Sequence, residues 1–197
     1  VILRGGRVAW VGPAGEAPRS RGARVVHARG RVVMPGLVDP HTHLVFAGSR
    51  SSEFARKMEG VDYRTIAAEG GGIMSTVRAT REASDEELLA CARERALQMR
   101  RHGVTAVEIK SGYGLDTTHE LRLLRVARRL GADGIVRTTS TFLGAHAVPA
   151  ERAGDRAGYV AEIVGAMLPA VVSERLAETC DAYIDEVLPG SHGVPST

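Results

Sequence analysis

Strand and helix patterns alternate along most of this chain, and that alternation limits its folds more than any other feature. Apolar and β-branched runs predict strands at 104–110, 135–142 and 182–187. Apolar residues at helical spacing predict helices at 84–103, 117–131 and 159–176. Strands that alternate with helices of this length form βαβ units and a parallel sheet, so the predicted fold class is α/β.

Three segments are predicted along the chain. Residues 1–34 are expected to form a small β-rich element, and residues 188–197, rich in Pro, Gly and Ser, an irregular tail. Residues 35–187 hold four strand–helix units, about half of an eight-stranded TIM barrel, (β/α)8. We therefore expect the first half of such a barrel, in a chain that is an incomplete copy of a longer protein. The strands expected in the first segment lie at 1–3, 7–11, 24–27 and 31–34.

Two capping boxes mark the predicted starts of long helices. A capping box pairs a Ser or Thr with a Glu three residues later, as at Ser84 and Glu87 and at Thr117 and Glu120. Before them, residues 53–80 show helical spacing that is interrupted by glycines. This pattern predicts short helices joined by loops.

Charge and composition argue against nucleic-acid and membrane partners. The net charge of +3 comes from arginines that are interspersed with acidic residues, and aromatic residues make up only 4% of the chain. No apolar run approaches the roughly 18 to 20 residues of a membrane span, and no signal segment opens the chain, so a cytoplasmic location is expected. Cys91 and Cys180 lack metal-site or disulfide spacing and are predicted to be buried free thiols.

The pair His41 and His43 follows an apolar run that is predicted to be a strand. Because side chains alternate along a strand, the two imidazoles point to the same side. Imidazole nitrogens are good ligands for zinc and iron. Such a pair is common by chance, but the end of a strand is where barrel enzymes assemble their sites. His41 and His43 are therefore candidate metal ligands.

Three more chemically capable side chains, Arg50, Tyr113 and His146, also come just after predicted strands. Scattered core or surface residues are not expected to gather at one end of several strands. Each has a plainer interpretation when taken alone: a surface ion pair for Arg50, a packed ring for Tyr113 and a loop histidine for His146. Together with the histidine pair they predict a site at the carboxyl edge of the sheet.

These residues lie within four longer segments: PGLVDPHTHLVFAGSR at 35–50, AAEGGGIMSTVRATR at 67–81, EIKSGYGL at 108–115 and TFLGAHAVP at 141–149. Together the segments resemble the imidazolonepropionase family of metal-dependent amidohydrolases. The HTH motif is shared across that superfamily, whereas KSGYGL and FLGAHAVP are specific to this branch. The similarity runs from about residue 8 to about residue 186.

The resemblance implies a reaction and a role for each residue. It implies that His41 and His43 hold one zinc or iron ion, that Arg50, Tyr113 and His146 contact the substrate, and that His146 is catalytic. The implied reaction opens 4-imidazolone-5-propanoate to N-formimidoyl-L-glutamate with metal-activated water, in histidine degradation. The family also implies that two copies can pair as a homodimer.

Lys110 has two interpretations at its strand end. Some amidohydrolases carry a carboxylated lysine there, which bridges two metal ions. The other interpretation is an ion pair with Glu108 or Asp116. The ion pair is favoured, and it agrees with the single-ion site of the family that the chain resembles.

Two alternatives stay open. Another cyclic-amide amidohydrolase, or a deaminase, would share the two histidines and act on a different ring. A non-catalytic remnant or binding subunit would explain why nothing after Val187 resembles the third metal histidine and the acidic ligand of the family. His192 lies in the wrong surroundings to replace them.

Overall fold

The computed structural model describes residues 1–19 and 21–184, and the chain divides into two compact units, Val1–Pro35 and Gly36–Thr197. The end of the fourth predicted strand and the predicted tail at 188–197 lie outside the described residues.

The first unit contains a short antiparallel hairpin. Strands β1 (Ile2–Arg4) and β2 (Arg7–Trp10) pair across a Gly5-Gly6 turn in which both glycines have positive φ. The strands predicted at 24–27 and 31–34 are wrong. Their valines are 69–86% exposed and pair with no other strand in the described part of this unit, so the apolar pattern there has no sheet to join.

The second unit is built on a parallel sheet, which confirms the α/β prediction. The strands β3 (Leu37–Thr42), β4 (Val104–Lys110), β5 (Arg137–Ala145) and β6 (Thr179–Ala182) lie side by side in chain order. The fourth strand begins earlier than the 182–187 predicted, because pairing of Thr179 with Thr141 and of Ala182 with Ala145 sets its register. Parallel strands in chain order bring their carboxyl ends to one edge.

Helices connect these strands and cover the sheet. The short helices predicted around the glycines near 60 and 70–72 are confirmed, and the predicted helix 159–176 begins earlier, because the side chain of Asp155 accepts a hydrogen bond from the Gly158 backbone N–H. The helices are α1 (Ser51–Met58), α2 (Tyr63–Ala68), α3 (Ile73–Glu82), α4 (Asp85–Arg101), α5 (Thr117–Ala132), α6 (Arg156–Glu162) and α7 (Leu168–Glu174), and a π-helical turn at Ile163–Met167 joins the last two.

The two predicted capping boxes have different outcomes. Ser84 and Glu87 form the reciprocal pair that starts α4, as predicted. The box at Thr117 and Glu120 is wrong, because the side chain of Asp116 caps α5 by accepting a hydrogen bond from the backbone N–H of His119. Glu120 is thereby left free for contacts inside the protein.

The core lies between the sheet and the helices. Leu88 of α4 and Leu123 of α5 pack against Val107 of β4, and all three side chains are at most 2% exposed. A second cluster joins Phe142 of β5 to Tyr159 of α6. Each such buried apolar side chain stabilises the fold by about 1.5–3 kcal/mol, so the ends of β3, β4 and β5 start from a rigid base.

The continuous helical stretch Arg156–Glu174 meets the length and composition of a membrane span, with a mean hydropathy of 1.3. The sequence analysis predicted a helix at 159–176 but no apolar run of that length, because polar and charged residues interrupt the apolar ones. Only 22% of the most apolar window of this stretch is buried, with Tyr159, Met167 and Val171 in the second core cluster. Because the core helix of a soluble protein passes the same test, these two properties are weak support for a span.

Candidate functional site

Three rings from neighbouring strand ends pack together at the carboxyl edge of the sheet. His43 follows β3 by one residue, Tyr113 follows β4 by three, and His146 follows β5 by one. The ring centroids lie 4.5 Å apart for His43 and His146, 4.7 Å for His43 and Tyr113, and 5.4 Å for Tyr113 and His146. The parallel topology thus gathers side chains that are up to 103 positions apart in sequence (146 − 43).

The other two predicted site residues border this ring cluster. His41 is exposed, and its ring centroid lies 5.9 Å from that of His43. Arg50 is at the N-cap of α1, close enough that its charge acts to lower the pKa of both Tyr113 and His146. All five residues predicted from the sequence therefore lie in one neighbourhood.

His43 is in the state that a metal ligand requires. Burial, followed by the neighbouring His146 and His41, lowers its pKa from 6.5 to about 3, so its imidazole is neutral at ordinary pH. Its Nδ1 is buried and has no hydrogen-bond partner among the described residues. Such an atom costs free energy unless something binds it. A neutral imidazole with an unpartnered buried nitrogen fits a zinc or iron ion.

His146 and Tyr113 are set up as neutral hydrogen-bonding groups. Nδ1 of His146 lies 2.8 Å from the carbonyl oxygen of Gly112, and because a carbonyl only accepts, Nδ1 carries the proton and Nε2 has the free lone pair. Burial lowers the pKa of His146, which keeps the ring neutral. Burial raises the pKa of Tyr113, so its phenol keeps its proton.

The described residues do not complete a metal centre. Within 1–19 and 21–184, no group of three or more His, Cys, Asp or Glu side chains is arranged to hold an ion. Catalytic zinc sites commonly use three protein ligands. The described part of the chain therefore offers the two histidines only.

Lys110 lies in an ion-paired triad on the sheet. Its Nζ is 2.7 Å from Glu108 Oε1 and 2.9 Å from Asp181 Oδ2. Burial acts to lower the pKa of Lys110, but the hydrogen bonds to Asp181 and Glu108 outweigh it and raise the pKa. Carboxylation needs a neutral amine, so the triad disfavours it. The ion pair predicted with Glu108 is confirmed, whereas Asp116 caps α5 instead.

A cavity of about 560 Å³ opens on the sheet beside this triad. Strand residues line it, among them Val38, Glu108, Lys110 and Asp181. His43, Tyr113 and His146 do not line it, so we assign the chemistry to the ring cluster at the strand ends and not to the cavity. Cys91 and Cys180 are free, as predicted, but neither is buried: Cys91 is partly exposed, and Cys180 is exposed because β6 is the last strand of the described sheet.

No family model matches the chain, but many curated proteins do. The imidazolonepropionases of Shewanella woodyi and Pseudomonas entomophila are both 49% identical to it, over 189 and 187 residues, and that of Shewanella oneidensis is 48% identical. The chain is similar to imidazolonepropionases. The matches cover 95% of this chain and 46–47% of the relatives, which confirms the resemblance drawn from the four sequence segments. The chain spans about half the length of the curated relatives it matches.

Several residues near the ring cluster were not predicted. Tyr183 lies with its ring centroid 6.4 Å from that of His146, at the edge where β6 ends. The sequence analysis placed the fourth strand at 182–187, which puts Tyr183 inside the strand and not after its end, so Tyr183 was not considered as a site residue. Glu120 and Arg95 contact the loops that carry Tyr113 and His43, whereas the sequence pattern assigned Glu120 to a capping box and Arg95 to a helix face. No local sequence signal separates them from surface charges.

Proposed function

We propose that this chain supplies the first four strands of a (β/α)8 barrel enzyme that hydrolyses 4-imidazolone-5-propanoate to N-formimidoyl-L-glutamate. The observation that carries the proposal is the ring cluster of His43, Tyr113 and His146, built from three successive strand ends. Similarity to imidazolonepropionases over 95% of the chain supports it. A cyclic amide is opened at a C–N bond in this reaction.

His41 and His43 would hold one zinc or iron ion. When bound, such an ion supplies the Lewis acidity that activates water for attack on the ring carbonyl. In that chemistry this chain would present the neutral, partly buried imidazole of His43, whose unpartnered Nδ1 suits an ion, with His41 beside it.

The other three residues would orient the substrate. The guanidinium of Arg50 is suited to bind the propanoate carboxylate through paired hydrogen bonds. The neutral phenol of Tyr113 can donate to a substrate oxygen, and Nε2 of His146 can take up a proton at the reacting ring. Because Gly112 fixes Nδ1, only Nε2 of His146 is free for this catalytic role.

The setting of the enzyme follows the same inference. A small molecule is its partner, and we propose a cytoplasmic homodimer without nucleic-acid or membrane contacts. The arginines interspersed with acidic residues support the absence of nucleic-acid contacts.

The test combines metal content with turnover. The barrel enzyme that contains this chain as its first four strands is purified and loaded with zinc or iron, bound metal is measured by elemental analysis, and loss of 4-imidazolone-5-propanoate is followed by its ultraviolet absorbance. We expect about one ion per chain, and loss of that ion in His43→Ala. His102→Ala, at the C-cap of α4, is the matched control and retains the ion.

Substrate choice separates the proposal from its alternatives. Ring opening of the imidazolone with dihydroorotate left intact supports it. Opening of dihydroorotate alone identifies a different cyclic-amide hydrolase. Substrate binding without turnover identifies a binding subunit.

A further inference from the structure

The carboxyl group of Glu120 in α5 is fully buried and contacts the loop that carries Tyr113. Its Oε1 accepts hydrogen bonds from the backbone N–H groups of Gly112, Gly114 and Leu115, at 3.1, 2.7 and 2.9 Å. Its Oε2 accepts a further bond from Gly112 at 3.0 Å. A buried carboxyl is costly unless it is hydrogen-bonded, and here the partners are the loop backbone and the Ser111 side chain. Burial raises the pKa of Glu120, and these hydrogen bonds oppose that rise.

We infer that Glu120 is a positioning residue, which holds the Gly112–Leu115 backbone so that Tyr113 and His146 face the site. This inference rests on the proposed function for the meaning of those two side chains. The contacts that carry it do not depend on a bound metal or substrate.

Gly112 connects Glu120 to His146 through hydrogen bonds on both sides of its backbone. The N–H of Gly112 donates to the Glu120 carboxylate, and its carbonyl oxygen accepts from Nδ1 of His146 at 2.8 Å. Gly112 has φ +110°, and an added Cβ would lie 2.8 Å from the Cβ of His146. Only glycine fits at position 112, and because a glycine backbone is flexible, another group has to fix its conformation.

Gly114 is held from two sides. Its N–H donates to Glu120, and its carbonyl oxygen accepts from Nε of Arg81 at 2.7 Å. Arg81 also lies 3.3 Å from Asp116, the residue that caps α5. Tyr113 therefore lies between two glycines whose peptide groups are both hydrogen-bonded by side chains on either side.

The contacts predict an uneven response to Glu120→Gln. The amide oxygen of glutamine can replace Oε1, which has three N–H partners, but its NH2 then faces the N–H of Gly112 in the place of Oε2. Two donors in contact repel each other. Gly112 is therefore expected to move more than Gly114 or Leu115, and the Nδ1 contact of His146 to weaken with it.

Nuclear magnetic resonance of the metal-free, full chain tests this pattern. In Glu120→Gln, we expect the largest change in amide chemical shift at Gly112. We also expect the amide hydrogen of Gly112 to exchange with solvent faster, by on the order of tenfold. The ring-nitrogen spectrum of His146 should show a smaller fraction of the tautomer protonated at Nδ1. Glu69→Gln makes the same chemical change in an exposed ion pair with Arg56, away from α5, and leaves all three signals in place. A general loss of stability would shift many amides alike and would not single out Gly112.

In Glu120→Gln, either of two outcomes overturns the inference: unchanged Gly112 and His146 signals, or shifts spread evenly over α5. If the variant does not fold, the wild-type chain still decides. A scalar correlation between the Glu120 carboxyl carbon and the amide protons of Gly114 and Leu115 is expected, and its absence overturns the inference. Metal content and turnover of the wild-type chain are measured separately, so failure of the proposed function is distinguishable from failure here.

Discussion

The loops after β3 and β4 meet at the same edge of the sheet but are held by opposite chemistry. In the β3 loop, Nη1 of Arg95 donates to the carbonyl oxygens of Leu44 and Phe46 at 3.0 and 2.7 Å, and its guanidinium lies 3.6 Å from the Phe46 ring centroid. In the β4 loop, the Glu120 carboxylate accepts from backbone N–H groups. One loop is fixed through its acceptors and the other through its donors.

The difference indicates which loop depends more on its anchor. Arg95 is only partly buried, so water can reach the carbonyls if the guanidinium is removed. Glu120 is 0% exposed, and the N–H groups that it binds are buried with it. Gly112 and Gly114 also give the β4 loop a freer backbone than the β3 loop has at Leu44 and Phe46.

The largest effect is expected from Glu120→Ala, which strands the N–H groups of Gly112, Gly114 and Leu115 in the interior. We expect a loss of about 3 kcal/mol or more in the free energy of unfolding, measured by urea denaturation. Glu162→Ala, which breaks a half-exposed contact with Arg152, is the control and costs less. Equal losses in the two variants would contradict the comparison.

A smaller loss is expected from Arg95→Ala. Two hydrogen bonds and the contact with the Phe46 ring disappear, and we expect the free energy of unfolding to fall by about 2 kcal/mol. Arg93→Ala on the same helix removes an exposed ion pair with Asp133 and is expected to have a smaller effect. A loss at Arg95 greater than that at Glu120 would reverse the ranking of the two loops.

The loop after β3 also makes the stability of the fold depend on pH, because it carries His43. The folded pKa of about 3 lies below the ordinary 6.5, so as pH falls below 6.5 the unfolded chain takes up a proton that the folded chain does not. Stability is therefore lost on acidification, by about 1.4 kcal/mol between about pH 7.5 and about pH 5.5. His43→Asn, measured without metal, is expected to remove this part of the pH dependence. The same slope in both proteins would show that another group causes it.

The smallest loss of stability is expected from a variant at the end of β5, where a single hydrogen bond holds the backbone. The phenol of Tyr159 donates to the carbonyl oxygen of Gly144 at 2.7 Å, just before His146. Tyr159→Phe keeps the packed ring and removes this bond, so we expect a loss of about 1 kcal/mol. Denaturation midpoints of the variant and wild type measure it, and a stability equal to wild type would show that this carbonyl needs no anchor.

The sequence predicts those site residues that follow strands, because the ends of parallel strands meet at one edge of a sheet. Histidines at 41, 43 and 146 and the tyrosine at 113 each follow a strand pattern, and parallel strands end at one edge, so their meeting was predictable. The anchors were not predictable, because their partners are backbone groups that have no sequence signature. Glu120 shows the difficulty: its spacing from Thr117 fits a capping box, but Asp116 takes the cap and tertiary contacts take the glutamate.

The separation of each anchor from its loop has a consequence for the order of folding. Glu120 lies eight residues from Gly112, within one strand–helix unit, so this contact closes a short chain segment. Arg95 lies 51 residues from Leu44, so its contact forms only after α4 has returned to the sheet. Because contacts between residues close in sequence form before distant ones, we expect the β4 loop to form early and the β3 loop late. The histidine pair would then be the last element of the site to reach its native arrangement during refolding.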